Sequence, residues 1–193
     1  MSVGLMSTRD LIGLIRGDLF RYGGRGFLAF LRIFWLDPGF SATFWFRVCQ
    51  WRKASRLRRF LFFPFVFFRR RSERVYHTVI AGEIGPGLCV GHAIAGGIIM
   101  NDKTRIGKNC NIHHGVTIGV KNRGCAVGVP VFGDNVYIGP GAKVIGGIRI
   151  GNNVAIGANA VVTHDVPDNA VVGGVPARIL SYNGSSGLIN RCV

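Results

Sequence analysis

Three histidines carry the side chains best suited to acid–base chemistry in this chain: His92, His113 and His114. Imidazole titrates near neutrality, so one such ring can take the proton from an alcohol as that alcohol attacks a carbonyl. His92 stands two residues after Val90 and His114 two residues after Ile112, a separation of 22. Taken singly, each also reads as a polar turn residue facing solvent. The five cysteines (Cys49, Cys89, Cys110, Cys125 and Cys192) are odd in number and contain no CxxC pair, which favours free thiols in a reducing compartment. Lys121 and Arg123 sit in a glycine-containing stretch and are weaker binding candidates.

What positions the histidines is a repeat. Phe132, Ile138, Val144, Ile150, Ile156 and Val162 recur at an unbroken interval of six, and Gly133, Gly139, Gly151 and Gly157 follow four of them. Small or aliphatic residues (Val136, Ala142, Ile148, Val154 and Ala160) stand four places after the first five. Met100, Ile106, Ile112 and Ile118 form an earlier copy, preceded by Ile84 and Val90. Neither the 3.6 period of a helix nor the two-residue period of a strand accounts for this spacing. A hexapeptide solenoid does, because one short strand and one turn repeat and stacked coils share a core. Cys110, four residues after Ile106, falls where the repeat calls for a small buried side chain.

The beat breaks twice. From Val90 to Met100 the interval is ten, with the extra residues in Ala93-Ile94-Ala95-Gly96-Gly97; from Ile118 to Phe132 it is fourteen, leaving a loop over 121–128. Insertions in solenoids map to loops. If the first bulges outward, the 22 residues between His92 and His114 are one eighteen-residue coil plus four. The two rings then share a corner of successive coils, about 4.8 Å apart in backbone.

Composition divides the chain into a basic, aromatic-rich arm (1–75), the repeats (76–178) and a tail (179–193) that reads as flexible. The arm holds thirteen of fourteen Phe, all three Trp, and fifteen cations against four acids, so +11 of the total +15. Its pattern is helical, with breaks at Gly23-Gly24 and Asp37-Pro38-Gly39 and helical segments over 27–36, 40–53 and 56–74. The run from Phe60 to Phe68 is flanked by Arg56, Arg58 and Arg59 on one side and Arg69, Arg70 and Arg71 on the other. These helices pack on the repeats with their arginines in water, or residues 56–74 lie on an anionic membrane surface. The apolar runs are too short to cross a bilayer, and no targeting segment is visible. No nucleic-acid motif accompanies the charge. The expected location is cytoplasmic, peripheral on the inner face of the membrane.

Gly87-Leu88-Cys89-Val90-Gly91-His92, Gly115-Val116-Thr117-Ile118-Gly119, Gly139-Pro140-Gly141-Ala142-Lys143-Val144 and Gly174-Val175-Pro176-Ala177-Arg178 together resemble the left-handed β-helix hexapeptide acyltransferases, and more closely their serine acetyltransferase branch. The resemblance covers about 76–180, with a looser match at Asp37-Pro38-Gly39-Phe40. It implies a mainly β fold, a left-handed parallel β-helix behind an α-helical arm. It also implies acetyl-CoA as co-substrate, a hydroxyl acceptor, no metal, and active sites between subunits of a homotrimer or higher assembly. By family position His92 is the general base. His114 orients it, binds the acceptor or is itself the base, as a similar pair of histidine turns in colanic acid acetyltransferases suggests. Gly139, Pro140, Gly157 and Ala158 resemble the lining of the pantetheine arm, and Thr163, Pro176 and Arg178 the adenine and phosphate end. Backbone amides of the glycine turns are expected to stabilise the oxyanion.

Departures from the serine acetyltransferase pattern direct the acceptor expectation elsewhere. Gly91 stands where that branch has an aspartate, His77 where an aspartate orients the base, and Gly128-Val129 where an Arg-His pair holds the serine carboxylate. A buried carboxylate without its arginine is costly. The chain is therefore expected to be a polysaccharide (colanic acid or capsule) O-acetyltransferase with a glycan or sugar-precursor acceptor. Serine O-acetyltransfer is the alternative, followed by a solenoid metalloenzyme or a non-catalytic scaffold.

Overall fold

The computed structural model describes residues 6–193. Five helices come first: α1 (Thr8–Arg21), α2 (Gly26–Leu36), α3 (Pro38–Lys53), α4 (Arg56–Leu61) and α5 (Pro64–Tyr76). The glycine and Asp-Pro-Gly breaks fall where the sequence places them. Asp37 caps α3, its carboxylate accepting from Phe40 N–H at 3.0 Å, and Pro38 occupies the first turn, where a missing amide costs nothing. The expected single segment over 56–74 is two helices. The chain breaks before Pro64, whose ring cannot continue a helix but can start one.

Beyond His77 the chain winds into a left-handed solenoid with three parallel faces. The first contains β1 (Glu83–Ile84), β4 (Arg105–Ile106), β7 (Val131–Phe132) and β10 (Arg149–Ile150). The second contains β2 (Cys89–Gly91), β5 (Asn111–His113), β8 (Tyr137–Ile138), β11 (Ala155–Ile156) and β13 (Val171–Gly174), with β14 (Ala177–Ser181) added antiparallel at its end. The third contains β3 (Ile99–Met100), β6 (Thr117–Gly119), β9 (Lys143–Ile145) and β12 (Val161–Val162). Every residue of the six-residue series points inward; Ile112, Ile138, Val144, Ile150 and Ile156 are wholly buried. Cys110 is also wholly buried, and burial pushes its thiol up to about 12, so it packs as a small apolar group.

At one corner Asn109, Asn135, Asn153 and Asn169 all take left-handed φ between 55° and 61° and pass side-chain hydrogen bonds from coil to coil at 2.8–3.0 Å. Asparagine tolerates that conformation and its amide satisfies the next turn. The tail, expected to be flexible, is docked along this edge. Ser185 Oγ donates to Asn135 O at 2.6 Å, and Val193 N–H donates to Asn109 Oδ1 at 2.8 Å.

The helices close the open end of the solenoid. β2 is an edge strand, and the loop before it leaves amides and carbonyls that need partners. Asp18 Oδ1 accepts from Gly87 and Leu88 N–H at 2.9 and 2.8 Å, and Tyr22 Oη accepts from Val90 N–H at 2.7 Å. Arg47 donates to Ile84 O and Gly85 O at 2.6 and 2.7 Å while gripping Asp18 through Nε and Nη2 at 2.8 and 3.1 Å. Both side chains are fully buried. A Cβ on Gly39 would collide with Val90 O, so glycine lets α3 approach β2.

Removing one partner of such a pair strands the other charge. Arg47→Met is expected to lower the unfolding free energy by about 3–5 kcal/mol in urea denaturation. Asp18→Asn should then cost much less in that background than alone; additive losses would show that the two act independently.

Candidate active site

The strand register decides which side chains meet. Val90 pairs with Ile112 and Gly91 with His113; Ile112 pairs in turn with Ile138, and Ile138 with Ile156. One residue further along each strand, the corner between the second and third faces stacks His92, His114, Pro140 and Ala158 in successive coils. The four extra residues after His92 form a 3-10 turn, Ala93–Ala95, followed by Gly96 and Gly97. This turn packs against α3 and α5, with Ala93 buried, and leaves the register intact.

The ring centroids of His92 and His114 lie 6.0 Å apart with their planes at 84°, and those of His92 and His113 lie 5.9 Å apart. His92 holds left-handed backbone (φ 54°) and its ring is exposed. His113 and His114 are half-buried, and each has a buried Nδ1 with no partner. His113 also lies 5.0 Å from the Tyr137 ring. Burial, and then the neighbouring His92 and His114, hold the His113 imidazole below its ordinary value of 6.5, so it is neutral at pH 7. His92 is thus the ring open to an incoming hydroxyl, while His113 and His114 stand behind it. Residue spacing gives His113 no particular role, because it does not reveal that the ring turns toward the empty side of Gly91.

A Cβ at Gly91 would lie 2.7 Å from His113 Nδ1 and 2.8 Å from Cε1. The space that an aspartate would need is therefore filled. His77 caps the C-terminus of α5 in left-handed backbone with an exposed side chain, and its carbonyl accepts from Gly97 N–H at 2.9 Å.

The CoA candidates divide in two. Gly139 and Pro140 lie one coil from Gly157 and Ala158, joined by Gly139 N–H to Ile156 O and Asn159 N–H to Pro140 O, both at 2.8 Å. Their edge continues past Gly173, which pairs with Arg178 on the β13–β14 hairpin that also carries Pro176. The Arg178 guanidinium is exposed and meets no carboxylate among the described residues. Thr163 is not brought to this edge. It follows β12 at the far corner of the third face, its hydroxyl 3.1 Å from His164 Nδ1.

The expected oxyanion contacts also need revision. The amides of Gly97, Gly115 and Gly141 are already committed, each donating at 2.9 Å to His77, Gly96 and His114 carbonyls respectively. The loop carrying Lys121 and Arg123 closes on itself through reciprocal Lys121–Gly128 backbone bonds at 2.9 and 3.0 Å, at the same far corner as Thr163. No group of three His, Cys, Asp or Glu side chains is arranged to hold a metal among the described residues.

Residues 130–164 match the family model for the bacterial transferase hexapeptide (six repeats). The chain is similar to a serine acetyltransferase of Synechococcus elongatus, 34% identical over 151 residues that span 76% of this chain and 59% of the relative. A serine acetyltransferase of Helicobacter pylori strain J99 is 33% identical over 150 residues, 76% of this chain and 83% of the relative. The chain thus spans about three fifths of the first of these relatives. Among solved structures, serine acetyltransferase from Brucella abortus strain S19 superposes with a TM-score of 0.76 at 30% identity, covering 93% of this chain and 72% of that one. The same enzyme with coenzyme A gives 0.74 at 29% identity, covering 92% and 70%. The Neisseria gonorrhoeae enzyme with serine gives 0.70 at 30% identity, covering 91% and 71%.

These findings correct the expected polysaccharide O-acetyltransferase and its glycan acceptor, since each of these relatives is a serine acetyltransferase. Gly91 adds no open room for a larger acceptor, because the His113 ring fills the place of its missing side chain. The chain belongs to the serine acetyltransferase branch of the hexapeptide-repeat acyltransferases.

Proposed function

We propose that the chain moves the acetyl group of acetyl-CoA to the hydroxyl of serine, with His92 as general base. The observation that carries this reading is the stacking of exposed His92 over His114 on the same solenoid edge as Gly139-Pro140 and Gly157-Ala158. The relatives solved with coenzyme A and with serine support it. The pantetheine arm runs along those glycine corners, with Pro176 and Arg178 toward the phosphates; Thr163 contributes from the far corner, across a subunit boundary. The serine Oγ bonds to the thioester carbonyl carbon as its proton passes to His92. Collapse of the tetrahedral intermediate breaks the C–S bond, and the CoA thiolate recovers the proton from the imidazolium. His114, edge-on to His92, positions that ring. Three sites form between subunits of a homotrimer, a reading supported by exposed Ile94 and Ile99 beside the histidine edge.

His92→Ala is expected to lower turnover with serine about 10²- to 10⁴-fold, measured as CoA release, while acetyl-CoA still binds. His114→Ala should cost less, and the double variant little more than His92→Ala alone. Near-normal turnover in His92→Ala removes it from the mechanism. Absence of serine-dependent CoA release from a wild-type chain that binds acetyl-CoA removes serine.

Gly91→Asp should abolish most activity by displacing the His113 ring. Adding His113→Ala makes room and is expected to restore activity with a serine KM lower than wild type, since a carboxylate can then meet the amino acid's ammonium group. An unchanged Gly91→Asp enzyme would show that this contact does not matter.

Light scattering should give the mass of three chains or a multiple of three. A fully active monomer would overturn the shared site.

A further inference from the structure

The outer side of the arm is a feature that acyl transfer leaves unused. α2 has no buried residue. Phe30 and Phe34 lie against Phe40, Phe44 and Trp45 of α3, with centroids 5.2–5.9 Å apart. The adjoining side presents Phe27, Leu28, Leu31 and Trp35 within about 100° of helix arc, and Leu28 and Trp35 are 81% and 79% exposed. α4, α5 and their junction add Leu57, Phe60, Leu61, Phe63 and Phe67, all 59–82% exposed. A chain of rings joins the two groups. Trp35 meets Phe34 at 5.7 Å, Phe34 meets Trp45 at 5.9 Å, Trp45 stacks on Phe68 at 5.1 Å, and Phe68 meets Phe67 at 6.0 Å. Single exposed apolar residues are ordinary, but a joined aromatic surface of this extent marks an interaction face.

Charge identifies what that face fits. Arg32, Arg56, Arg59, Arg70 and Arg71 are exposed around it. Only two acids lie between Gly26 and Tyr76, and both are engaged: Asp37 caps α3, and Glu73 pairs with Arg69 at 2.7 Å. Arg69 also donates to Ile80 O, so it belongs to the fold, unlike its two neighbours. A second copy docking through the same face would set arginine against arginine with no acid between them. Residues 76–193 carry nine cations against five acids, so the repeats are themselves net positive and as a whole do not favour the patch. An anionic bilayer surface supplies phosphates for the arginines and an acyl boundary for the aromatics. No helix among the described residues is long and apolar enough to cross a membrane. We propose that the chain docks on anionic lipid through the outward sides of α2, α4 and α5, lying in the interface.

Co-sedimentation of the full chain with phosphatidylglycerol-containing vesicles, and with phosphatidylcholine vesicles, tests this. Binding is expected to the anionic vesicles and to weaken as salt rises. Replacing Arg56, Arg59, Arg70 and Arg71 by Gln should weaken it at least about tenfold, and so should Phe27→Ser with Leu28→Ser and Trp35→Ser. Both variants should keep the wild-type melting temperature, because none of these side chains is buried. A blue shift of tryptophan emission on adding anionic vesicles should disappear in Trp35→Phe. The proposal fails if the wild-type chain stays in solution with anionic vesicles at low salt. It fails equally if the serine variant binds as wild type, which would reduce the effect to net charge. A fall in assembled mass in the serine variant, with no vesicle binding by wild type, would assign the face to contact between copies.

Discussion

Parallel stacking in strict register is the constraint on which everything else here rests. Side chains alternate between faces along each short strand, so a slip of one residue would turn the core outward. The two insertions are tolerated because both leave the coil at corners. The four residues after His92 fold back onto α3 and α5 with Ala93 buried, and the eight of loop 121–128 close through the Lys121–Gly128 ladder. Register survives both, and it is register that brings His92 to His114 and both to the glycine corners above them.

A stack of coils has ends, and the open end beside His92 is where the chain spends its buried charge. Asp18 and Arg47 satisfy amides and carbonyls of 84–88, and each satisfies the other. A buried pair of this kind adds little net stability compared with apolar packing. What it does here is fix the position of α1 and α3 on the first coil. The Tyr22 hydroxyl extends that anchoring to Val90, two residues from His92, within surroundings whose burial raises its own pKa well above 10.0. The arm is therefore part of the scaffold of the site as well as a surface of its own.

Around the histidines, electrostatics and sterics act together. Gly91, His113 and Tyr137 form one packed unit in which the ring of one residue fills the absent side chain of another. Burial, and then the neighbouring His92 and His114 rings, discourage protonation of His113. The two buried Nδ1 atoms without partners show that polar capacity remains at this edge.

The solenoid was legible in the residues alone, because aliphatic residues every six positions with glycine beside them are compatible with little else. So was the His92–His114 alignment, since 22 residues reduce to one coil plus a corner insertion. Helix breaks at Gly23-Gly24 and Asp37-Pro38 were legible for equally local reasons. Tertiary structure decided what depends on distant partners. Asp18 and Arg47 look like ordinary surface charges until α1, α3 and the first coil converge on them. Thr163 shares a coil with Gly157 yet falls at another corner, and Arg69 looks like Arg70 and Arg71 but is held inside by Glu73 and Ile80. Gly91 read only as a lost aspartate. Packing shows its place filled, because the direction of the His113 ring depends on Tyr137 one coil above and on the bare α-carbon one coil below.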